Sequence, residues 1–243
     1  YRRHRLAGER HCSSGGSTCR QRANRYPGTG GKKMSLAPTV FLPGLICDAE
    51  LWRGVTEGLR DIVAPMVADL TLDDSVKAMA ARTLAAAPDR FNLVGLSMGG
   101  YVAFEIMRQA PERVDRLALM ATSALADSPE TVASRRAGMA QIGEGKFLGV
   151  AGSLLPKLVL PDRVDGPVGD VVKAMAERVG GEAYLRQQEA ILNRPDSRAT
   201  LATIGVPTVM LVGEDDILTP VEQADIIHQG ITGSTLHQID HCG

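Results

Sequence analysis

The sequence predicts an α/β protein: a mostly parallel sheet flanked by helices, with a helical cap inserted late in the chain. Three observations lead there. From Met34 onward, short apolar runs alternate with segments of helical period, the alternation that builds parallel strands joined through helices. The run Phe91-Asn92-Leu93-Val94-Gly95-Leu96 stops at a serine between glycines and passes at once into a helical pattern. A long helical stretch at about 129–202, rich in Leu, Ala, Gly and Met, separates two of the later strands.

In chain order, TVFLPG at 39–44 reads as a buried strand ending in a turn, and DAELWRGVTEGLRD at 48–61 as a helix that Trp52, the only tryptophan, anchors on the sheet. Positions 62–67 form the next strand, and Asp74 opens a helix that runs to about Ala87. FNLVGLS at 91–97 is the central strand, and the helix at 98–110 is stopped by Pro111. RLALMAT at 116–122, PTVMLVG at 207–213 and STLHQID at 234–240 complete the sheet. The stretch at about 129–202 follows the strand ending at Thr122, so it rises as a cap over the carboxyl ends of the strands, where open parallel sheets bind ligands. Phe147, Leu148, Leu154, Leu155, Leu158 and Met175 read mainly as that cap's own core.

Composition excludes several classes. At 44% hydrophobic and 23% charged the chain has the balance of an ordinary soluble protein, and no apolar run approaches the roughly 18–20 residues that span a bilayer. Residues 1–33 hold nine Arg or Lys against Glu9 alone, leaving 18 of the chain's 27 basic and 27 of its 28 acidic residues to the rest. A body this acidic argues against nucleic acid as a partner. Cys12, Cys19, Cys47 and Cys242 do not make a disulfide framework, which fits a reducing cytoplasm, and Cys12 and Cys19 with His4 and His11 match no usual zinc spacing. Segment 1–33 has almost no aliphatic residues and is expected to be a disordered basic tail. Gly30-Gly31-Lys32-Lys33 before Met34 is what a purine-rich ribosome-binding site gives when translated, so Met34 reads as the start and the tail as translated upstream sequence.

The chemistry centres on Gly95-Leu96-Ser97-Met98-Gly99, a G-x-S-x-G sequence between strand and helix. A serine on so tight a turn takes a strained backbone, and flanking glycines let strand and helix approach. The alternative is a serine that caps its helix. Leu45, just after the first strand, and Met98, at the helix start, are placed to offer two N–H groups to an oxyanion. An orienting carboxylate follows in VMLVGEDDILTP: Thr219 reads as N-cap, Pro220 as the first helical residue and Glu222 as the capping-box partner, leaving Asp215 and Asp216 in the loop. Cys47 reads as a buried structural thiol.

With LPGLICDAELW, GLSMGG and GEDDILTP in that order, the chain from about Thr39 to its end resembles the α/β-hydrolase superfamily. The resemblance implies a Ser-His-Asp triad acting on a small ester or other acyl substrate, with no metal or cofactor. It implies Asp216 as the acid, with Asp215 the alternative. The implied order Ser, Asp, His leaves His228, His237 and His241; the first lies in a helix and the second in mid-strand, so His241 is the candidate within the chain. The histidine of this superfamily usually follows a glycine, which would put the base just after Gly243 and make the sequence a fragment without the closing helix. Related scaffolds also cleave C–C bonds or act as lyases, and a non-catalytic ligand-binding protein is the alternative outside enzymes.

Overall fold

The computed structural model describes residues 35–143 and 147–243. The basic segment 1–33, Met34 and the Cys12 and Cys19 pair lie outside those residues.

Six strands, Ala37–Leu42 (β1), Val63–Val67 (β2), Phe91–Leu96 (β3), Val114–Met120 (β4), Thr208–Gly213 (β5) and Thr235–Ile239 (β6), form one sheet in the order β2-β1-β3-β4-β5-β6. Every neighbouring pair is parallel. Period-two alternation sends Val40 and Leu42 to one face, with Leu93, Met98 and Val102, and Phe41 to the other, with Trp52 and Val63. The four inner strands, β1, β3, β4 and β5, are the largely buried ones and carry the near-continuous apolar runs, whereas the edge strands β2 and β6 are more exposed.

Helices Arg53–Gly58 (α1), Val76–Ala86 (α2), Met98–Gln109 (α3) and Val221–Gly230 (α8, numbered after the four that follow) flank the sheet. Helix α3 is buried from Met98 through Met107, consistent with its apolar character on nearly every side. The helix expected at 48–61 divides into a 3-10 turn, Ala49–Trp52, and α1. Asp48 caps the turn by accepting from the Glu50 N–H at 2.9 Å, and the buried Trp52 ring lies 5.2 Å from the Phe41 ring. The strands expected at 39–44 and 116–122 each end two residues earlier, because Gly44 and Thr122 belong to the turns above the sheet.

Between β4 and β5 lie Pro129–Gly143 (α4), Phe147–Leu158 (α5), a 3-10 turn Pro161–Arg163, Pro167–Leu192 (α6) and the short Arg198–Leu201 (α7). Helix α6 is broken at Gly180, whose φ of 77° and ψ of 169° only glycine adopts readily. Val150, Ala176 and Tyr184 form a small core among these helices. Met175 and Leu155 are buried, Leu154 and Leu158 line a cavity below, and Leu148 is 63% exposed.

At the amino ends of the strands, Arg113 gathers the turn before β3. Its guanidinium donates to the carbonyls of Leu84, Ala87, Pro88 and Asp89 and lies 5.7 Å from the centre of the Phe91 ring. Among the described residues no helix is long and apolar enough to cross a membrane.

Candidate active site

The direction of winding reverses between β1 and β3: from β1 the chain leaves for β2 on one side and returns to β3 on the other. That switch point opens a crevice at the carboxyl edge. Leu42 pairs with Gly95, so the turn after β1 and the turn after β3 come up side by side.

Ser97 occupies the second turn with φ 52° and ψ −114°. Its N–H donates to the Met120 carbonyl at 2.9 Å, and its own carbonyl accepts from Gly100 N–H and Thr122 Oγ1, both at 2.8 Å. These bonds hold a conformation that L residues rarely adopt. A Cβ at Gly95 would sit 2.7 Å from the Gly99 carbonyl oxygen, and one at Gly99 would collide with the Leu42 carbonyl, so the two glycines permit the close approach. Ser97 stands at the N-cap position of α3, yet its hydroxyl makes no capping bond. Among the described residues the Leu45 and Met98 N–H groups have no hydrogen-bond partner.

The turn carrying Leu45 is pinned from the insertion. Ile46, at φ 54°, donates its N–H to Gln187 Oε1 at 3.0 Å, and Gln187 Nε2 donates to the Leu70 carbonyl at 3.2 Å. Gln187 is wholly buried. The neighbouring Cys47 thiol is pushed up to about 12, by burial first and by the Asp48 charge second, so it stays protonated and non-nucleophilic at neutral pH.

In the loop after β5, Asp216 Oδ1 accepts from the N–H groups of Leu218 (2.9 Å) and Thr219 (2.8 Å), and Oδ2 accepts from Thr219 Oγ1 (2.9 Å). This corrects the reading of Thr219 as an N-cap: Pro220 holds that position without a side-chain bond, because both the amide and the hydroxyl of Thr219 are turned back onto Asp216. Asp215 is exposed, and its N–H donates to the Cys242 carbonyl at 2.8 Å. His228 Nδ1 lies 2.8 Å from Ser234 Oγ, and His237 lies within β6. His241 is exposed in the turn after β6, at φ 51°.

A cavity of about 750 Å³ opens over Ser97. Gly44, Leu45, Ile46 and Cys47 form its floor with Ser97, while Ile217, Leu218 and Thr219 bring the Asp216 loop to one wall. Neither Asp216 nor His241 lines it. Helices α4, α5 and α6 close the top, where Asp127 joins two arginines: Arg135 Nε donates to Oδ2 at 2.6 Å and Arg194 Nη2 to Oδ1 at 2.7 Å. Burial would raise the Asp127 pKa, but the hydrogen bonds and charges of Arg194 and Arg135 outweigh it and hold the carboxyl below its usual range. Arg135 Nη1 also donates to Gln188 Oε1 at 3.0 Å, and the Arg194 guanidinium carbon lies 4.2 Å from the centre of the Tyr101 ring.

Sequence patterns do not single out this network or Gln187. The signal was a stripe on α4: Thr131, Ser134, Arg135, Gly138 and Gln141 recur at helical spacing and all reach the cavity.

The family described as alpha/beta hydrolase fold matches residues 12–146. The chain is 27% identical over 238 residues to a pimeloyl-[acyl-carrier protein] methyl ester esterase from Nitrosomonas europaea, covering 84% of this chain and 87% of that protein. A protein of the same name from Neisseria meningitidis is 30% identical over 159 residues, 60% of this chain and 59% of the relative. Among solved structures, a thermophilic esterase from Thermogutta terrifontis superposes with a TM-score of 0.75 at 25% identity, covering 85% of this chain and 82% of that one. The enol-lactonase from Burkholderia xenovorans gives 0.74 at 22% identity, over 86% and 85%.

Proposed function

Since the chain belongs to the α/β-hydrolase family and is a hydrolase of that fold, we propose that it is an esterase of small acyl substrates in which Ser97 is the nucleophile. The observation that carries this reading is the strained Ser97, whose hydroxyl is spared from capping its helix and opens onto the cavity beside two unpartnered N–H groups. In the proposed reaction Ser97 Oγ attacks the ester carbonyl while a histidine takes its proton, and the Leu45 and Met98 N–H groups hold the oxyanion. Collapse expels the alcohol, protonated by the imidazolium, and leaves an acyl-serine that water cleaves to acid and free serine. Asp216 orients the histidine; its three hydrogen bonds from Leu218 and Thr219 support it over Asp215. The base belongs to the turn after β6, which the Asp215 N–H holds to the acid loop through the Cys242 carbonyl. His241 is the histidine of that turn and the candidate base. Helices α4–α6 act as the cap that shapes the acyl site.

A fluorophosphonate probe on the full-length protein tests the nucleophile: one equivalent is taken up, and Ser97→Ala abolishes uptake. A folded protein that takes up none would favour a ligand-binding role. Asp216→Asn should lower turnover of a nitrophenyl ester by roughly 10⁴-fold and Asp215→Asn far less. A larger loss at Asp215 reverses the acid, and His241→Ala with turnover intact overturns His241 as the base.

A further inference from the structure

We propose that the cavity selects esters whose acyl part ends in a small anionic group, a carboxylate or a phosphate, held beneath the cap by Arg135 and guided in by Lys157. This rests on the esterase reading and goes beyond it by naming the substrate class.

Charge is segregated in this molecule. From Met34 on, acidic residues outnumber basic ones 27 to 18, yet the charged residues around the cavity are Arg135, Lys157, Arg194 and, as the sole described acid, Asp127. Three cations face one carboxylate. Arg194 is mostly consumed internally: its side chain is 5% exposed, it pairs with Asp127, it donates to the carbonyls of Ile191 and Leu125, and it stacks on Tyr101, so that only its buried Nε has no partner among the described residues. Asp127 therefore balances Arg194, and Arg135 is left in excess.

Arg135 is also the better placed of the two to meet a ligand. Nε and Nη1 are fixed by Asp127 and Gln188, which orients the guanidinium without consuming it. Its Nη2 group has no partner among the described residues and is not among the sealed polar atoms, so its donors remain open. A half-buried guanidinium with free donors, 22% exposed at the side chain, is incompletely solvated and incompletely paired. An anion brought by the substrate completes both, through charge-assisted bonds that a fixed guanidinium makes well. Lys157 is exposed on α5 at the rim of the same cavity and has no ion-pair partner among the described residues. An exposed ammonium at the mouth raises the local concentration of anions. The apolar side chains of Leu154, Leu158 and Val150 line the space between for a short methylene chain.

The test compares three 4-nitrophenyl esters of equal length, with their distal ends a free carboxylate (mono-4-nitrophenyl glutarate), its neutral methyl ester, and a phosphonate. The full-length protein should show kcat/KM at least about tenfold higher for the anionic esters than for the neutral one at low salt, a preference that shrinks as ionic strength rises. Arg135→Gln should bring that ratio close to one, Arg135→Lys should keep part of it, and Lys157→Gln should lower it through KM. The carboxylate and phosphonate arms identify which anion fits better. A wild-type ratio of one or below overturns the inference while leaving the esterase reading intact, and so does a ratio that neither Arg135→Gln nor Lys157→Gln changes. Lys157 is exposed, so its variant stays informative if Arg135→Gln fails to fold. If no ester turns over, the esterase reading fails, and calorimetry on Ser97→Ala protein still decides the inference. Monomethyl glutarate binding at least about tenfold tighter than dimethyl glutarate supports it, and equal binding overturns it.

Discussion

Cys47 shows how much one side chain's surroundings decide. Beside the turn of the proposed nucleophile, a thiol could compete with Ser97, but burial and the Asp48 charge lift it from an ordinary 9.0 to about 12. The same shift ties stability to pH. The unfolded thiol ionises near 9 and the folded one near 12, so the unfolded state binds fewer protons between those values. The stabilisation is whole below pH 9 and is lost as pH rises toward 12. Melting temperature should therefore fall more steeply from pH 9 to 11 in the wild type than in Cys47→Ala, measured by thermal melts in matched buffers. Parallel slopes would show that the thiol is not shielded. At this scale the sequence was legible where a motif forces the backbone, as at Gly95 and Gly99, whose added Cβ atoms would strike Gly99 and Leu42. Thr219 was misread because Asp-x-x-Thr and a capping threonine look alike in sequence; only the folded loop shows that the threonine's donors run backward to Asp216.

At the scale of elements, the inner strands were legible because burial leaves a near-continuous apolar signature, whereas the insertion showed helical period without showing where its helices meet. Its most consequential contact, Gln187 on α6, is a polar residue in an apolar setting that no periodicity marks. It satisfies two buried backbone groups at once, the Ile46 N–H and the Leu70 carbonyl. Gln187→Leu keeps the bulk and strands both, at a cost of about 1–3 kcal/mol for each unsatisfied group. Urea unfolding should register that loss. Because Ile46 follows Leu45, the proposed oxyanion donor, kcat for a nitrophenyl ester should fall in the same variant while KM moves little. A Gln187→Leu protein with wild-type stability would mean that this side chain does not pin the turn.

For the molecule as a whole, the two ends of the sheet do different work. The carboxyl ends carry Ser97, Leu45 and the Asp216 loop; the amino ends carry Arg113 and the four carbonyls it gathers. Arg113→Ala should cost about 1–3 kcal/mol in chemical denaturation and leave kcat/KM within twofold of wild type, since its bonds lie on the far side of the sheet from the cavity. A fall in turnover without a fall in stability would contradict that division. The all-parallel order has a kinetic counterpart. No two neighbouring strands can zip through a hairpin, and Leu117 of β4 meets Thr208 of β5 only across the whole insertion. Each pairing must first close a long loop, which makes such a sheet slow to fold compared with one built from hairpins. Ser97 stands on one side of that β4–β5 seam and Asp216 on the other. Recovered turnover after dilution from denaturant is therefore a clock for the most distant strand pairing, running behind any signal that follows collapse or helix formation.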